Sequence, residues 1–452
     1  MSADISLGTK PAQMIERLFG LKEQGTTPGR EITAGLTTFM TMSYIIFVQP
    51  AVLGAAGMDP GAVMVATCLA SAVGTLLMAF LANYPIAMAP AMGHNFYFTY
   101  IVVLTLGYTW QEALGAVFVA GLIFILLSTV GLRETLMNVL PGCLKNGIPV
   151  GIGLLITLVG LEWSGIVTAH PVTYVTLGKL NSTPTLVSIL GLVVMAALLA
   201  LRVRGAVLIG ILATTAAGLA FGVIEFDGIA AAPPSLDPTL FKLAIPNVFK
   251  DPNLITVIFV FLFLDLFDTI GTLIGVSQQG GLMKDGKLPR ARQALLSDAI
   301  ATSSGALLGT STVTSYVESA AGISAGGRTG LTGVVAATLF LLAIFLSPLV
   351  HMIGAGIDAG GVTLYPVIAP ALIIVGSMMF KNVVHVEWED YTESIPAFLT
   401  LIMMPLTFSI TEGISFGVIS YVLLKFLSGK GKKVHWLIYL FAVLFVARYI
   451  WL

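Results

Sequence analysis

The sequence predicts an all-α polytopic membrane protein: fourteen transmembrane segments in two inverted seven-span repeats, with spans 3 and 10 broken by short extended segments. Three observations carry that expectation. First, 57% of the 452 residues are hydrophobic and only 10% are charged, whereas a soluble chain has about 45–50% apolar and about 25% charged residues. So few charges cannot cover a water-facing surface, and at about 20 apolar residues per crossing the chain has room for a dozen or more helices. Second, the apolar runs fall into two sets of seven. Third, the basic residues are distributed unevenly between the loops. This composition excludes a disordered chain, a nucleic-acid binder and a disulfide-stapled secreted domain.

Residues 1–30 read as a cytoplasmic N-terminus. They carry Lys10, Arg17, Lys22 and Arg30 without the apolar core of a cleavable signal peptide. Met14, Ile15, Leu18 and Phe19 fall at helical spacing, which predicts a short helix on the membrane surface. The first repeat, 31–224, has runs near 31–56, 61–82, 85–107, 110–132, 142–162, 185–201 and 205–224. Residues 225–252, with Pro233, Pro234, Pro238, Pro246 and Pro252, read as an extracellular linker. The second repeat, 253–427, has runs near 253–276, 292–309, 310–327, 330–350, 364–380, 394–410 and 413–427. The tail, 428–452, ends in an apolar run over 434–451 that carries Arg448 and either spans the bilayer or lies on it. Cys68 and Cys143 lie in or beside apolar runs, far apart in sequence, and read as buried thiols rather than a disulfide framework.

The loops test this count. With the N-terminus in the cytoplasm and fourteen crossings, eighteen of the 22 Lys and Arg fall inside, leaving Lys179, Lys242 and Lys250 outside and Arg448 unassigned. That asymmetry is the positive-inside rule, and a miscounted span would reverse every later loop. The expected location is a multi-pass protein of the cell (inner or plasma) membrane. Because seven is odd, the second copy enters the bilayer upside down, the architecture of many secondary transporters.

The third span of each half is unlike its neighbours. One reads Asn83-Tyr84-Pro85-Ile86-Ala87-Met88-Ala89-Pro90-Ala91-Met92-Gly93-His94-Asn95-Phe96, the other Gly309-Thr310-Ser311-Thr312-Val313-Thr314-Ser315-Tyr316-Val317-Glu318-Ser319-Ala320-Ala321-Gly322. Two prolines break the first, and the hydroxyl and β-branched run Ser311–Ser315 favours extended backbone. Lipid cannot satisfy extended amides, so both segments must be buried in protein or line a polar cavity.

Carboxylates within apolar spans mark the chemistry. In span 8, Asp265 and Asp268 lie roughly 18–22 Å along the helix, at i, i+3 on one face that Thr272 extends by a turn. In span 10, Glu318 lies midway between the outer loop and Arg328. A carboxylate at that depth costs about 2.5–3.5 kcal/mol on insertion scales, and no Lys or Arg is expected nearby. Asp298 follows Arg292 closely and reads as a structural hydrogen-bonding residue. His94 sits in the middle of broken span 3 beside Asn95, and Phe96 and Tyr316 offer flat faces on the two broken segments. Helix N-termini at the midplane, with amides near Phe96 and Val317–Ser319, could meet an anion or a ring bearing carbonyls. Asp268 and Glu318 repel a free anion and favour a neutral ligand with N–H donors. A planar heterocycle with N–H and C=O groups satisfies all of these parts. Because desolvation penalises the charged form of a carboxylate, Asp268, Asp265 or Glu318 could also carry a coupling proton.

At these residues the chain resembles the nucleobase–cation symporter family that includes uracil and xanthine permeases, and within it the adenine/guanine/hypoxanthine permease branch. The resemblance runs from Ala34-Gly35-Leu36-Thr37-Thr38-Phe39 through Leu264–Thr272 and Gly309–Ser319 to Pro396-Ala397-Phe398-Leu399-Thr400 and Met403-Met404-Pro405-Leu406-Thr407. It implies a core of spans 1–4 and 8–11, a gate of spans 5–7 and 12–14, and a homodimer formed through the gate. It also implies that the acids at Asp268 and Glu318 contact the base, with Phe96 in the span 3 half of the site and Thr272 one turn beyond Asp268. Gly93-His94-Asn95-Phe96 departs from the branch pattern, in which an apolar residue, Asn and a small residue follow the glycine.

The expected function is therefore secondary active import of a purine nucleobase (adenine, guanine or hypoxanthine), with a proton or sodium as coupling ion, by alternating access. The substrate-binding set is Asp268, Glu318, Phe96, Asn95, His94, Thr272, Tyr316, Val317 and Ser319. No enzymatic activity, cofactor, metal or nucleic-acid partner is expected. Two alternatives differ in class: an anion transporter of sulfate or bicarbonate type, which would need a cationic or neutral pocket, and an intramembrane aspartyl protease, whose Gly-x-Gly-Asp signature the chain lacks.

Overall fold

In the computed structural model, which describes residues 10–130, 139, 141–283, 288–359 and 362–451, the apolar runs fold as helices started by local signals. Proline opens the helices at Pro28, Pro60 and Pro252, where the lost N–H has no intrahelical partner anyway. Thr27, Asp59 and Asp251 cap them with side-chain oxygens, and Thr109 and Glu112 form a capping box. Among the described residues, eight helices are long and apolar enough to cross a bilayer: Pro28–Ala55, Pro60–Ala82, Trp110–Thr129, Gly142–Trp163, Thr183–Ala200, Asn253–Gln278, Gly330–Gly354 and Ile410–Leu427. Ala206–Ala220, Ala369–His385 and Trp436–Ile450 are shorter apolar helices.

The other expected spans are built differently. Residues Ala291–Leu308 and Tyr391–Thr407 are helices, the first carrying Arg292 and Asp298 and the second containing Pro396 and Pro405. The two broken spans are each a short strand followed by a short helix. Strand β1 (Met88–Pro90) leads into Met92–Phe96 and a wide π-helical segment, Tyr97–Thr105. Chain order then gives two hairpin strands, β2 (Val167–His170) and β3 (Tyr174–Leu177), before β4 (Val313–Ser315), which leads into Ser319–Ser324. A second short antiparallel pair joins β5 (Ile357–Asp358) to β6 (Thr363–Leu364).

Strands β1 and β4 meet across the two halves of the chain, antiparallel, with Met88 opposite Ser315, Ala89 opposite Thr314 and Pro90 opposite Val313. Both strands are fully buried, so each segment supplies the hydrogen bonds that lipid would deny the other. Tyr316 N–H donating to Ala87 O at 3.0 Å and Ala91 N–H to Thr312 O at 2.9 Å extend the ladder.

The helices pack in two groups. Pro28–Met42 lies against Gly330–Ala343 and Ser319–Ser324, Pro60–Leu77 against Gly330–Ala343 and Ala291–Leu308, and Trp110–Thr129 against Ala291–Leu308. The second group joins Gly142–Trp163 to Ala369–Met379 and Tyr391–Thr407, and Thr183–Ala200 to Ala206–Ala220. Close approach in the first group depends on glycine: a Cβ on Gly322 would stand 1.9 Å from Thr38 Oγ1 and 2.7 Å from Ala34 O. Buried Glu31 ties the same elements together, accepting from the Arg328 and Thr329 amides and the Thr329 and Thr332 hydroxyls.

The linker is held at one end of the bundle. Its Ala231, Phe241 and Ala244 amides donate to Phe345, Leu307 and Gln111 carbonyls. At the N-terminus, the helix Lys10–Phe19 seats Phe19 against Leu331 and leaves Met14 and Leu18 exposed. The tail helix Trp436–Trp451 packs beside Ile410–Leu427, with Arg448 Nη1 2.9 Å from Glu412 Oε1. Its Phe441 and Phe445 also pack, tilted or edge-on, against Phe259 and Phe263 of the helix Pro252–Gln279.

Candidate functional site

The paired strands end where the long helix Pro252–Gln279 passes, and a cavity of about 70 Å³ lies at that junction. It collects Asp268 and Thr272 from the helix, Thr314–Glu318 from the β4 segment, Met92 and Gly93 from the β1 segment, and Tyr44 from the first span. Ile152, Val375, Met378 and Met379 close it from the second packing group. The cavity therefore lies between the two groups, with carboxylates on one wall and aliphatic side chains on the other.

Glu318 is 8% exposed and accepts a 2.7 Å hydrogen bond at Oε1 from the Tyr44 hydroxyl. The Tyr316 hydroxyl donates to Pro90 O at 2.6 Å, fixing its ring over the strand pair. Val317 is 51% exposed and lines the cavity. Ser319 takes a structural position: its hydroxyl accepts from the Ala87 amide at 3.0 Å, and its own amide donates to Tyr316 O at 3.2 Å.

The acids of the long helix part company. Asp268 is 29% exposed on the cavity, with Asp298 and Glu318 within electrostatic reach. Asp265 is fully buried away from it, where the Thr269 hydroxyl faces both Asp265 Oδ1, at 3.3 Å, and Asp298 Oδ1, at 2.7 Å. The i, i+3 spacing puts both aspartates on one side of the helix, and the remaining rotation between them separates cavity from packing interface.

Of the span 3 residues, none of His94, Asn95 and Phe96 lines the cavity. Asn95 is bonded to Gln49 and accepts from the Ser311 hydroxyl, while Gln49 Nε2 also donates to Thr310 Oγ1 at 3.0 Å. Phe96 belongs to an aromatic layer, stacked on Tyr100 with ring centroids 5.7 Å apart and 6.5 Å from Trp163. His94 lies behind Asp268, with Nδ1 3.9 Å from Asp268 Oδ2. Tyr44, Thr314, Ser315 and the aliphatic wall line the cavity in addition to the residues expected from sequence. Tyr44 had one signal, a hydroxyl-bearing side chain next to Ser43 where the first span bends between Pro28–Met42 and Ile45–Ala55.

The cavity adjoins a larger one. Tyr44, Val317, Glu318, Val375 and Met378 also line a larger cavity of about 340 Å³ that reaches Arg202, Arg204 and Ser324. At the linker end lies a separate cavity of about 510 Å³, bounded by Pro50, Pro234, His351 and Tyr365, which shares no lining residue with the site. The Tyr365 ring lies 4.3 Å from that of Trp163, which continues the aromatic layer between them. Among the described residues, no group of three His, Cys, Asp or Glu side chains is arranged to hold a metal ion.

Comparison with known proteins gives a consistent picture. Residues 29–442 match the sequence profile of a family described as a permease family, Xan_ur_permease. A putative permease of Methanocaldococcus jannaschii is 47% identical over 442 residues, covering 97% of this chain and 99% of that one. An adenine permease of Escherichia coli is 43% identical over 453 residues (100% and 99%), and a guanine/hypoxanthine permease of Bacillus subtilis is 46% identical over 450 residues (97% and 100%). Among solved structures, the transmembrane domain of a cyanobacterium bicarbonate transporter superposes with a TM-score of 0.64 at 14% identity, covering 85% of this chain and 97% of that one. That likeness concerns the fold alone.

Proposed function

Because the chain belongs to the permease family matched over residues 29–442, and is a membrane transporter rather than an enzyme, we propose that it imports purine nucleobases as a secondary active proton symporter. The observation that carries this reading is the pairing of Asp268 and Glu318, from opposite halves of the chain, on one small cavity. Two carboxylates offer acceptors and no positive charge, which suits the N–H edge of a neutral ring and disfavours an anion. The adenine and guanine/hypoxanthine permeases at 43% and 46% identity support a purine as that ring.

In this mechanism Glu318, steadied by Tyr44, accepts ring N–H hydrogen bonds. Asp268 binds the base and exchanges the coupling proton, since a carboxylate that must lose water to bind is readily neutralised. Thr272, Tyr316 and Val317 shape the pocket, and Phe96 backs it through the aromatic layer. Asp265, bridged to Asp298 by Thr269, holds the helix in register. The two packing groups act as core and gate of a fourteen-span inverted repeat, divided at 225–252. The cavity rises and falls with the core against the aliphatic wall of the gate, and gate contacts between two copies form a dimer.

Uptake of radiolabelled adenine, guanine and hypoxanthine into proteoliposomes under an imposed pH or sodium gradient tests the proposal. An inward proton gradient should accelerate accumulation of at least one base. Accumulation that follows sodium alone would overturn the proton coupling, and no uptake of any purine would overturn the substrate.

A further inference from the structure

Transport as proposed leaves the buried imidazole of His94 without a task. His94 is 1% exposed, and neither ring nitrogen has a hydrogen-bond partner among the described residues. A buried polar atom without a partner is costly, and an apolar side chain of similar size would avoid that cost. The group it faces is Asp268, whose Oδ2 stands 3.9 Å from His94 Nδ1, about 1 Å beyond hydrogen-bond length. Asp268 has the cavity on its other side and the carboxylates of Glu318 and Asp298 in electrostatic reach. A small rotation of its side chain turns one oxygen toward the imidazole or toward the cavity.

We propose that His94 is a positioning residue for Asp268: when the site is empty its Nδ1–H donates to the carboxylate, and a ligand N–H entering the cavity takes that bond over. The inference rests on Asp268 binding the substrate, as proposed above. A neutral imidazole suffices, because one tautomer supplies the N–H and a hydrogen bond to an ionised carboxylate is among the stronger kinds. The physical consequence concerns the empty transporter. To return without substrate it must move a carboxylate that has lost its ligand, and the His94 hydrogen bond stands in for the missing one. When substrate occupies the site in both directions, that substitute is not needed.

Two transport modes of the reconstituted full chain separate these cases. Net uptake of labelled adenine, guanine or hypoxanthine into empty liposomes requires the empty return, whereas exchange into liposomes preloaded with the same base does not. For His94→Leu, net uptake should fall roughly tenfold while exchange stays within about twofold of wild type, the scale of one lost hydrogen bond. His94→Gln, which retains an N–H donor, should recover net uptake. Equal loss of both modes, no loss of either, or no recovery in His94→Gln would overturn the role of His94. Should His94→Leu fail to reconstitute, the same comparison between His94→Gln and His94→Met decides. Wild-type protein that exchanges no purine would instead overturn the substrate reading, whatever the His94 variants do.

Discussion

Tyr44 holds Glu318 by a single 2.7 Å hydrogen bond from its hydroxyl. Tyr44→Phe keeps the ring and removes that donor, a loss of about 1 kcal/mol. In uptake kinetics KM should rise by about fivefold with Vmax little changed, the pattern of lost uniform binding; unchanged KM would separate Tyr44 from the site. Asn95 makes the opposite case. Its side chain bonds Gln49 and Ser311, away from the cavity, so Asn95→Ala should lower thermal stability in detergent by about 1–3 kcal/mol before it alters substrate affinity. The acids were legible in sequence because a carboxylate within an apolar run is conspicuous. The direction of a polar side chain such as Asn95, and the involvement of an aromatic such as Tyr44, depend on which neighbour the fold brings up. Neighbours 216 or 274 positions away leave no local trace.

At the level of elements, the two broken spans announced themselves through proline and through a hydroxyl-rich β-branched run. Their pairing with each other did not, because a three-residue ladder between positions 88–90 and 313–315 is a tertiary event. The strand pairs 167–170 with 174–177 and 357–358 with 363–364 are equally silent, because strands this short carry no periodic pattern. The helix after β4 is pressed against the first span through Gly322, where a side chain would meet Thr38 and Ala34. Gly322→Val should therefore separate the two elements, at about 1–3 kcal/mol or more for overpacking. The expected readout is a sharp loss of monodisperse protein in size-exclusion chromatography; a well-folded, active Gly322→Val would contradict this packing.

For the whole molecule, apolar runs in the sequence marked the eight long apolar helices of the described residues, while the division of the helices into two packing groups required contacts between distant elements. The tail run at 434–451 could be read either as a span or as a surface helix; the structure seats it on Phe259 and Phe263 of the helix Pro252–Gln279 and on Glu412 of the helix Ile410–Leu427. The site shares Tyr44, Val317 and Glu318 with the cavity that carries Arg202 and Arg204, residues that the loop-charge pattern puts in the cytoplasm, and shares no lining residue with the cavity at the linker end. A cysteine at Val317, half-exposed in that passage, should react with a membrane-impermeant thiol reagent in inside-out vesicles and be spared in right-side-out ones. Bound purine should slow the reaction, and labelling from the outer face alone would reverse the assigned orientation.

The most direct measurement is binding and uptake of radiolabelled purine by wild type, Glu318→Gln and Asp268→Asn, reconstituted at equal levels. Both substitutions preserve size while removing the acceptor charge. Saturable wild-type uptake that Glu318→Gln abolishes and Asp268→Asn uncouples from the proton gradient is the expected result. Wild-type behaviour in both variants, or transport of bicarbonate or sulfate in place of purine, would contradict a site built from two carboxylates around a neutral ring.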